Sequence, residues 1–168
     1  MTEKMLRSLV IKKSLLVLLF LMSFSLLKAQ KTYKINYYDN GSVKSHGWMN
    51  NGLKDGYWKF YYENSILKEE GHFFQNQKHN YWFYYETNGK KIKEGHYDIG
   101  KKTKWWSFYN NKGLLSNKCQ FSDNKKNGYR IIYLNNKPIK AEYYENDIKT
   151  NEWDDFFSFR NDNPVLNL

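Results

Sequence analysis

From residue 31 onward, hydrophobic positions occur as short aromatic runs separated by polar clusters. Tyr57–Tyr62, Tyr81–Tyr85 and Trp105–Tyr109 are such runs, built almost wholly from Tyr, Trp and Phe. Each is too short for a stable helix, and no segment after the leader sustains a 3.6-residue period, so almost no helix is expected. Ring-bearing side chains suit the pleated surface of a strand. Between the runs stand Asn50-Asn51-Gly52, Glu63-Asn64-Ser65, Asn88-Gly89, Asn110-Asn111-Lys112-Gly113 and Asn135-Asn136, residues that tolerate the positive φ of tight hairpin turns. Short strands with turns about every dozen residues predict an all-β antiparallel meander. Alternation then places Trp58, Phe60, Trp82, Tyr84, Trp106, Phe108 and Ile132 on one face, and Tyr57, Tyr61, Tyr81, Tyr85, Trp105, Tyr109, Tyr129 and Tyr133 on the other. A sheet one layer thick must bury these rings by stacking between neighbouring repeats.

The pattern has a fixed period. Trp58, Trp82 and Trp106 fall at steps of 24, as do Gly47, Gly71 and Gly95, and Tyr61, Tyr85, Tyr109 and Tyr133 continue the step through four copies. Gly56 and Gly128 hold another shared position, with Asn80 and Lys104 between them. These glycines and tryptophans are the expected structural repeat positions. A partial copy precedes Gly47, and a degraded one, starting at Glu142, follows one residue out of register. The last copy drifts to Glu152, Asp154 and Asp155, which reads as a polar end cap, and Arg160–Leu168 reads as a frayed tail.

The order Gly-x-Trp-x-x-Tyr-Tyr, carried by Gly56–Asn64 and, with Asn for Gly, by Asn80–Tyr85 with Asn88-Gly89 and Gly95, resembles the MORN repeat in its bacterial variant. The resemblance covers residues 33–157. It implies that each repeat is a β-hairpin in an elongated single-layer sheet. It also implies a scaffold or a contact surface for proteins or lipids; exported relatives carry an antitoxin-like label. Asn80 and Lys104 in place of Gly, Cys119 in place of Gly and Arg130 in place of Trp depart from the pattern. Wall-binding repeats that hold choline or glucans between rings use similar residues, but at a shorter period.

The N-terminus follows a different pattern. Lys4, Arg7, Lys12 and Lys13 precede the uncharged run Ser14–Leu27, and Ala29 stands at a cleavage position. This order predicts a secretory signal peptide over residues 1–29 with Gln30 as the mature N-terminus. The apolar run is shorter than the roughly 20 residues that span a bilayer, so no stable membrane span is expected after cleavage. The domain reading is therefore a leader at 1–29, a repeat array at 30–157 and a tail at 158–168, placed in the periplasm or at the cell surface.

Composition narrows the function. Aromatic residues are 19% of the chain, which excludes a disordered chain. The formal charge is +10, of which the leader's five basic residues against Glu3 hold +4, leaving about +6 spread over mixed charges. That is too dilute for a dedicated nucleic-acid binder, and no nucleic-acid partner is expected. Cys119 is the lone cysteine, so an intramolecular disulfide is excluded.

His72 and His96 share a repeat position, but neighbours one repeat apart lie two strands, about 10 Å, from one another, beyond the reach of one metal ion. Glu70 and Glu94 likewise share a position rather than forming an acid–base pair, and Asp154-Asp155 would point to opposite faces of a strand. No catalytic, metal or cofactor site is expected, and the chain is not read as an enzyme. The candidate partner-binding residues are Tyr57, Tyr61, Tyr81, Tyr85, Trp105, Tyr109 and Tyr133, because tyrosine offers an apolar ring with a polar tip. The expected function is a scaffold or protein-binding module that docks another envelope protein on the aromatic face or at a free sheet edge. An envelope polysaccharide or peptidoglycan binder and an antitoxin- or immunity-like protein are the alternatives.

Overall fold

The computed structural model describes residues 11–14, 16–17 and 31–164. It divides into two units, residues 1–31 and 32–168. Residues 11–14 and 16–17 are helical. The leader's cleavage point after Ala29, most of its apolar run and the last four residues of the tail lie outside the described residues. No helix among the described residues is long and apolar enough to cross a membrane.

Eleven antiparallel strands make one open meander sheet in chain order: β1 (Lys31–Tyr37), β2 (Val43–Asn50), β3 (Leu53–Tyr61), β4 (Leu67–Phe74), β5 (Gln77–Tyr85), β6 (Lys91–Asp98), β7 (Lys101–Tyr109), β8 (Leu115–Ser122), β9 (Lys125–Leu134), β10 (Lys137–Glu145) and β11 (Ile148–Trp153). One short helix, α1 (Phe156–Asp162), follows. The protein is thus an all-β, single-layer meander of hairpins.

Two kinds of turn alternate. At one end of the strands lie two-residue turns with both central residues at positive φ: Asn51-Gly52, Gln75-Asn76, Ile99-Gly100, Asp123-Asn124 and Asn146-Asp147. This type I′ geometry matches the right-handed strand twist. At the other end, longer loops place Gly41, Ser65, Gly89 and Gly113 in the left-handed region. Between β9 and β10 the long loop gives way to the two-residue turn Asn135-Asn136, and this is where the fifth copy slips out of register.

Three of these turns are also stitched by a pair of bonds to the repeat before them. Asn76 donates its N–H to the Lys54 carbonyl at 2.9 Å and accepts the Lys54 N–H through Oδ1 at 2.6 Å. Asn124 on Lys102 and Asp147 on Lys126 repeat both bonds.

The Gly–Trp period has a steric cause. Gly47 pairs with Trp58, Gly71 with Trp82 and Gly95 with Trp106. Each indole lies flat over its glycine, so that a β-carbon at Gly71 would stand 2.5 Å from Trp82 Cε2. The indole N–H donates just past the glycine, from Trp58 to the Trp48 carbonyl at 2.7 Å, from Trp82 to that of His72 at 2.9 Å and from Trp106 to that of His96 at 3.1 Å. All three tryptophans are fully buried in a one-layer sheet.

The fourth copy abandons this device at both partners together. Arg130 stands opposite Cys119 and instead forms an ion pair with the buried Glu142 at 3.1 Å. With no indole lying over position 119, a side chain fits there.

Sheet register slips by two residues near Gly56, Asn80, Lys104 and Gly128. All four have positive φ, the signature of a bulge whose first residue is left-handed. Asn80 and Lys104 thus keep the backbone conformation that Gly56 and Gly128 adopt.

The C-terminus corrects two expectations. Asp154 and Asp155 do not sit in a strand as a polar cap: β11 ends at Trp153, and Asp155 is the N-cap of α1, accepting the Ser158 N–H at 2.8 Å. Arg160–Asp162 are not frayed but helical, and α1 buries Phe159 against Ile131 and Ala141. The reason is burial: Phe156 and Phe159, one helical turn apart, supply an apolar stripe that the alternation rule for strands does not reveal.

Candidate functional site

The seven candidate residues do share one face. Along it, Tyr57 meets His72 edge-on with ring centres 4.9 Å apart, and Tyr81 repeats the contact with His96 at 4.7 Å. Tyr61 stacks on His46, and its hydroxyl lies 3.0 Å from His46 Nε2. Tyr85 donates to Glu70 Oε1 at 2.9 Å, and Tyr109 makes the equivalent bond to Glu94. Burial and the Glu70 carboxylate push the Tyr57 phenol up to about 12; burial and Glu94 do the same to Tyr109. Burial foremost also raises Tyr85.

Two points correct the sequence expectation. The Tyr85 and Tyr109 tips are not free polar groups but donors to carboxylates within the sheet. Tyr133 and Trp105 are partly buried against the cluster of Ile131, Ala141 and Phe159. Sequence reasoning also missed the central row of this face, Lys59, Phe83, Ser107 and Ile131, which stands between the tyrosines. Lys59 lies 3.5 Å from Glu70, and Phe83 pairs with Glu94. Their position two residues after Tyr57, Tyr81, Trp105 and Tyr129 was the available signal.

The opposite face carries the tryptophans with Phe60, Phe73, Tyr84 and Tyr97. Lysines at a shared 24-residue position lie over the rings. Lys54 Nζ is 4.9 Å from the Trp58 ring centre, Lys78 Nζ is 4.0 Å from Trp82 and Lys102 Nζ is 4.9 Å from Trp106. Burial lowers all three ammonium pKa values; at Lys102 the charges of Lys93 and Lys78 lower it further, while at Lys78 Glu69 opposes the shift.

A cleft of about 180 Å³ is lined by His79, His96, Asp98 and Thr103 among others, and one of about 450 Å³ by Asp98, Ile99, Lys101, Thr103, Ser122 and Asp123. His79 Nδ1 lies 3.5 Å from Asp98 Oδ1, yet among the described residues no Ser or Thr hydroxyl bonds to either imidazole. No cluster of three or more His, Cys, Asp or Glu among them is placed to hold a metal. Burial pushes the Cys119 thiol up to about 11, so little nucleophilic thiolate exists at neutral pH.

The fold and these faces define a repeat protein of single-layer β-hairpins. No family model and no curated protein matches the chain. Among solved structures it is similar in part to the accessory secretory protein 1, 2 and 3 structure of Streptococcus pneumoniae, at 14% identity and a TM-score of 0.37. The match covers 60% of this chain and 19% of that one.

Proposed function

We propose that the protein is a non-catalytic, exported binding module whose tyrosine face docks an amphipathic helix of another envelope protein. One observation carries this reading. The chain's own helix α1 seats Phe159 on this face, against Tyr129, Ile131 and Ala141. The same rows run on through Tyr57, Lys59, Tyr81 and Phe83, where none is fully buried. A helix with aromatic anchors at successive turns would meet there the ring surface that α1 meets at the C-terminal end, a helix-in-groove mode of recognition. The basic–apolar–Ala order of the leader supports export, and the MORN resemblance supports a contact surface over an active site.

The test compares affinity capture from the native envelope by the wild-type chain, by a Tyr81→Ala/Phe83→Ala variant and by a Lys78→Gln variant, each first shown to be folded. The expected result is a partner lost from the first variant and kept by the second. If the double variant captures the same proteins as the wild type, this reading is wrong.

A further inference from the structure

The tryptophan face presents a cationic ladder that the tyrosine-face reading leaves unused. Lys54, Lys78, Lys102 and Lys126 recur at one position of the 24-residue repeat, each with its ammonium within 5 Å of a ring centre: Phe60, Trp82, Trp106 and Tyr144. Lys93 adds a fifth charge over Tyr84 at 4.6 Å, a ring that Lys78 also contacts at 4.8 Å. Among the described residues, only Lys78 of this ladder forms an ion pair, with Glu69 at 2.7 Å, whose charge also acts on Lys54. Among the described residues, no carboxylate lies within ion-pair distance of Lys54, Lys93, Lys102 or Lys126. The C-terminal end of the sheet differs, for there Arg130, Lys140 and Lys149 are all paired with Glu142, Glu152 or Asp154.

We propose that this face binds an extended acidic polysaccharide bearing one carboxylate per disaccharide. Three features of the ladder select that ligand. Its step is two strands, about 10 Å, close to the disaccharide repeat of an extended β-linked glycan. The half-buried ring of Phe108, opposite Lys93 and with no ammonium over it among the described residues, offers an apolar surface to a sugar face, as aromatic rings do. The ammonium groups have already given up part of their hydration to the rings, so meeting a carboxylate costs them less desolvation. A nucleic-acid strand, with a phosphate about every 3.4 Å of duplex axis, is denser than the ladder. An anionic bilayer favours lysines that extend outward to the headgroups, whereas these fold inward over rings.

The inference is independent of the tyrosine-face proposal, and the test separates them. The purified chain is titrated calorimetrically with a hyaluronan octasaccharide, which carries a carboxylate on alternate sugars. Parallel titrations use a neutral chitin oligosaccharide of the same length, poly-dT and phosphatidylglycerol vesicles. Hyaluronan should bind and weaken as salt rises. A Lys54→Gln/Lys102→Gln variant should lose about tenfold in affinity with a shallower salt dependence, in keeping with ion contacts removed. Tyr81→Ala should leave binding unchanged. If the double lysine variant does not fold, Lys93→Gln, whose ammonium lies over the Tyr84 ring, should weaken binding in the same direction. Equal binding of the neutral oligosaccharide, tighter binding of poly-dT or vesicles, or no effect of the lysine substitutions in a folded protein would each overturn the assignment.

Discussion

At Gly71 the backbone lies directly beneath the Trp82 ring, with no space for a β-carbon. Gly71→Ala must displace a fully buried indole, and the expected cost is about 1–3 kcal/mol, the usual range for overpacking. Denaturant unfolding measures it, and a loss of the Trp82 N–H bond to His72 would show as a shifted indole resonance. Ile99 is the opposite case. It occupies the first left-handed position of an I′ turn at φ 43, where Asn51, Asp123 and Asn146 stand in other repeats. A β-branched side chain is strained there, while Asn bonds locally and adopts the conformation readily. Ile99→Asn should therefore stabilise the protein by about 1 kcal/mol, seen as a higher thermal midpoint. Neither consequence follows from composition, since one depends on the ring opposite Gly71 and the other on the backbone φ at Ile99.

Helix α1 shows how an element can be hidden by its neighbours. A reader following strand alternation sees Asp154, Asp155 and Arg160 and finds a polar ending. The Asp155 cap and the Phe156–Phe159 stripe form a helical pattern less than two turns long, too short to register as a period. Phe159 is fully buried, while Phe157 is 76% exposed. Phe159→Ala should cost about 3–5 kcal/mol, as for other buried aromatic truncations, whereas Phe157→Ala should stay within about 0.5 kcal/mol. Trp153, whose ring lies 5.2 Å from Phe159, provides the fluorescence probe. The long strands β3, β5 and β7 were far more legible, because each bears a ring run bounded by Asn or Gly. Turns such as Gln75-Asn76 and Asp123-Asn124 escaped notice because their sequences lack the usual glycine.

Among the described residues, each strand of the sheet pairs with its neighbours in sequence, so stability is distributed repeat by repeat. The C-terminal repeats should therefore respond to pH on their own. Burial alone would raise the pKa of Glu142, but the Tyr144 hydrogen bond with the Arg130 and Lys149 charges holds it below the ordinary 4.5. A depressed carboxylate stabilises fully above the unfolded value and loses that contribution as pH falls through the folded one. Hydrogen exchange in β9–β11 should accelerate on acidification below pH 4.5, and Glu142→Gln should flatten that response. The strands around Trp58 and Trp82 should not follow this titration.

Sequence by itself determined the repeat, its 24-residue step, the antiparallel meander and the division of rings between two faces, because period-two alternation and positive-φ turn residues are local properties. It also placed the seven candidate tyrosine and tryptophan positions on a common face. Only the tertiary structure decided what each ring is used for. Tyr85 and Tyr109 are tied to carboxylates, Trp105 and Tyr133 are engaged at the α1 cluster, and the tryptophans are buried over glycines of the preceding strand. Those outcomes depend on cross-strand register and on a helix folding back, which bring together residues 10 to 34 positions apart. The lysine ladder lies between the two levels: its period is written in the chain, but its unpaired charge emerges only when the carboxylates are seen to lie elsewhere.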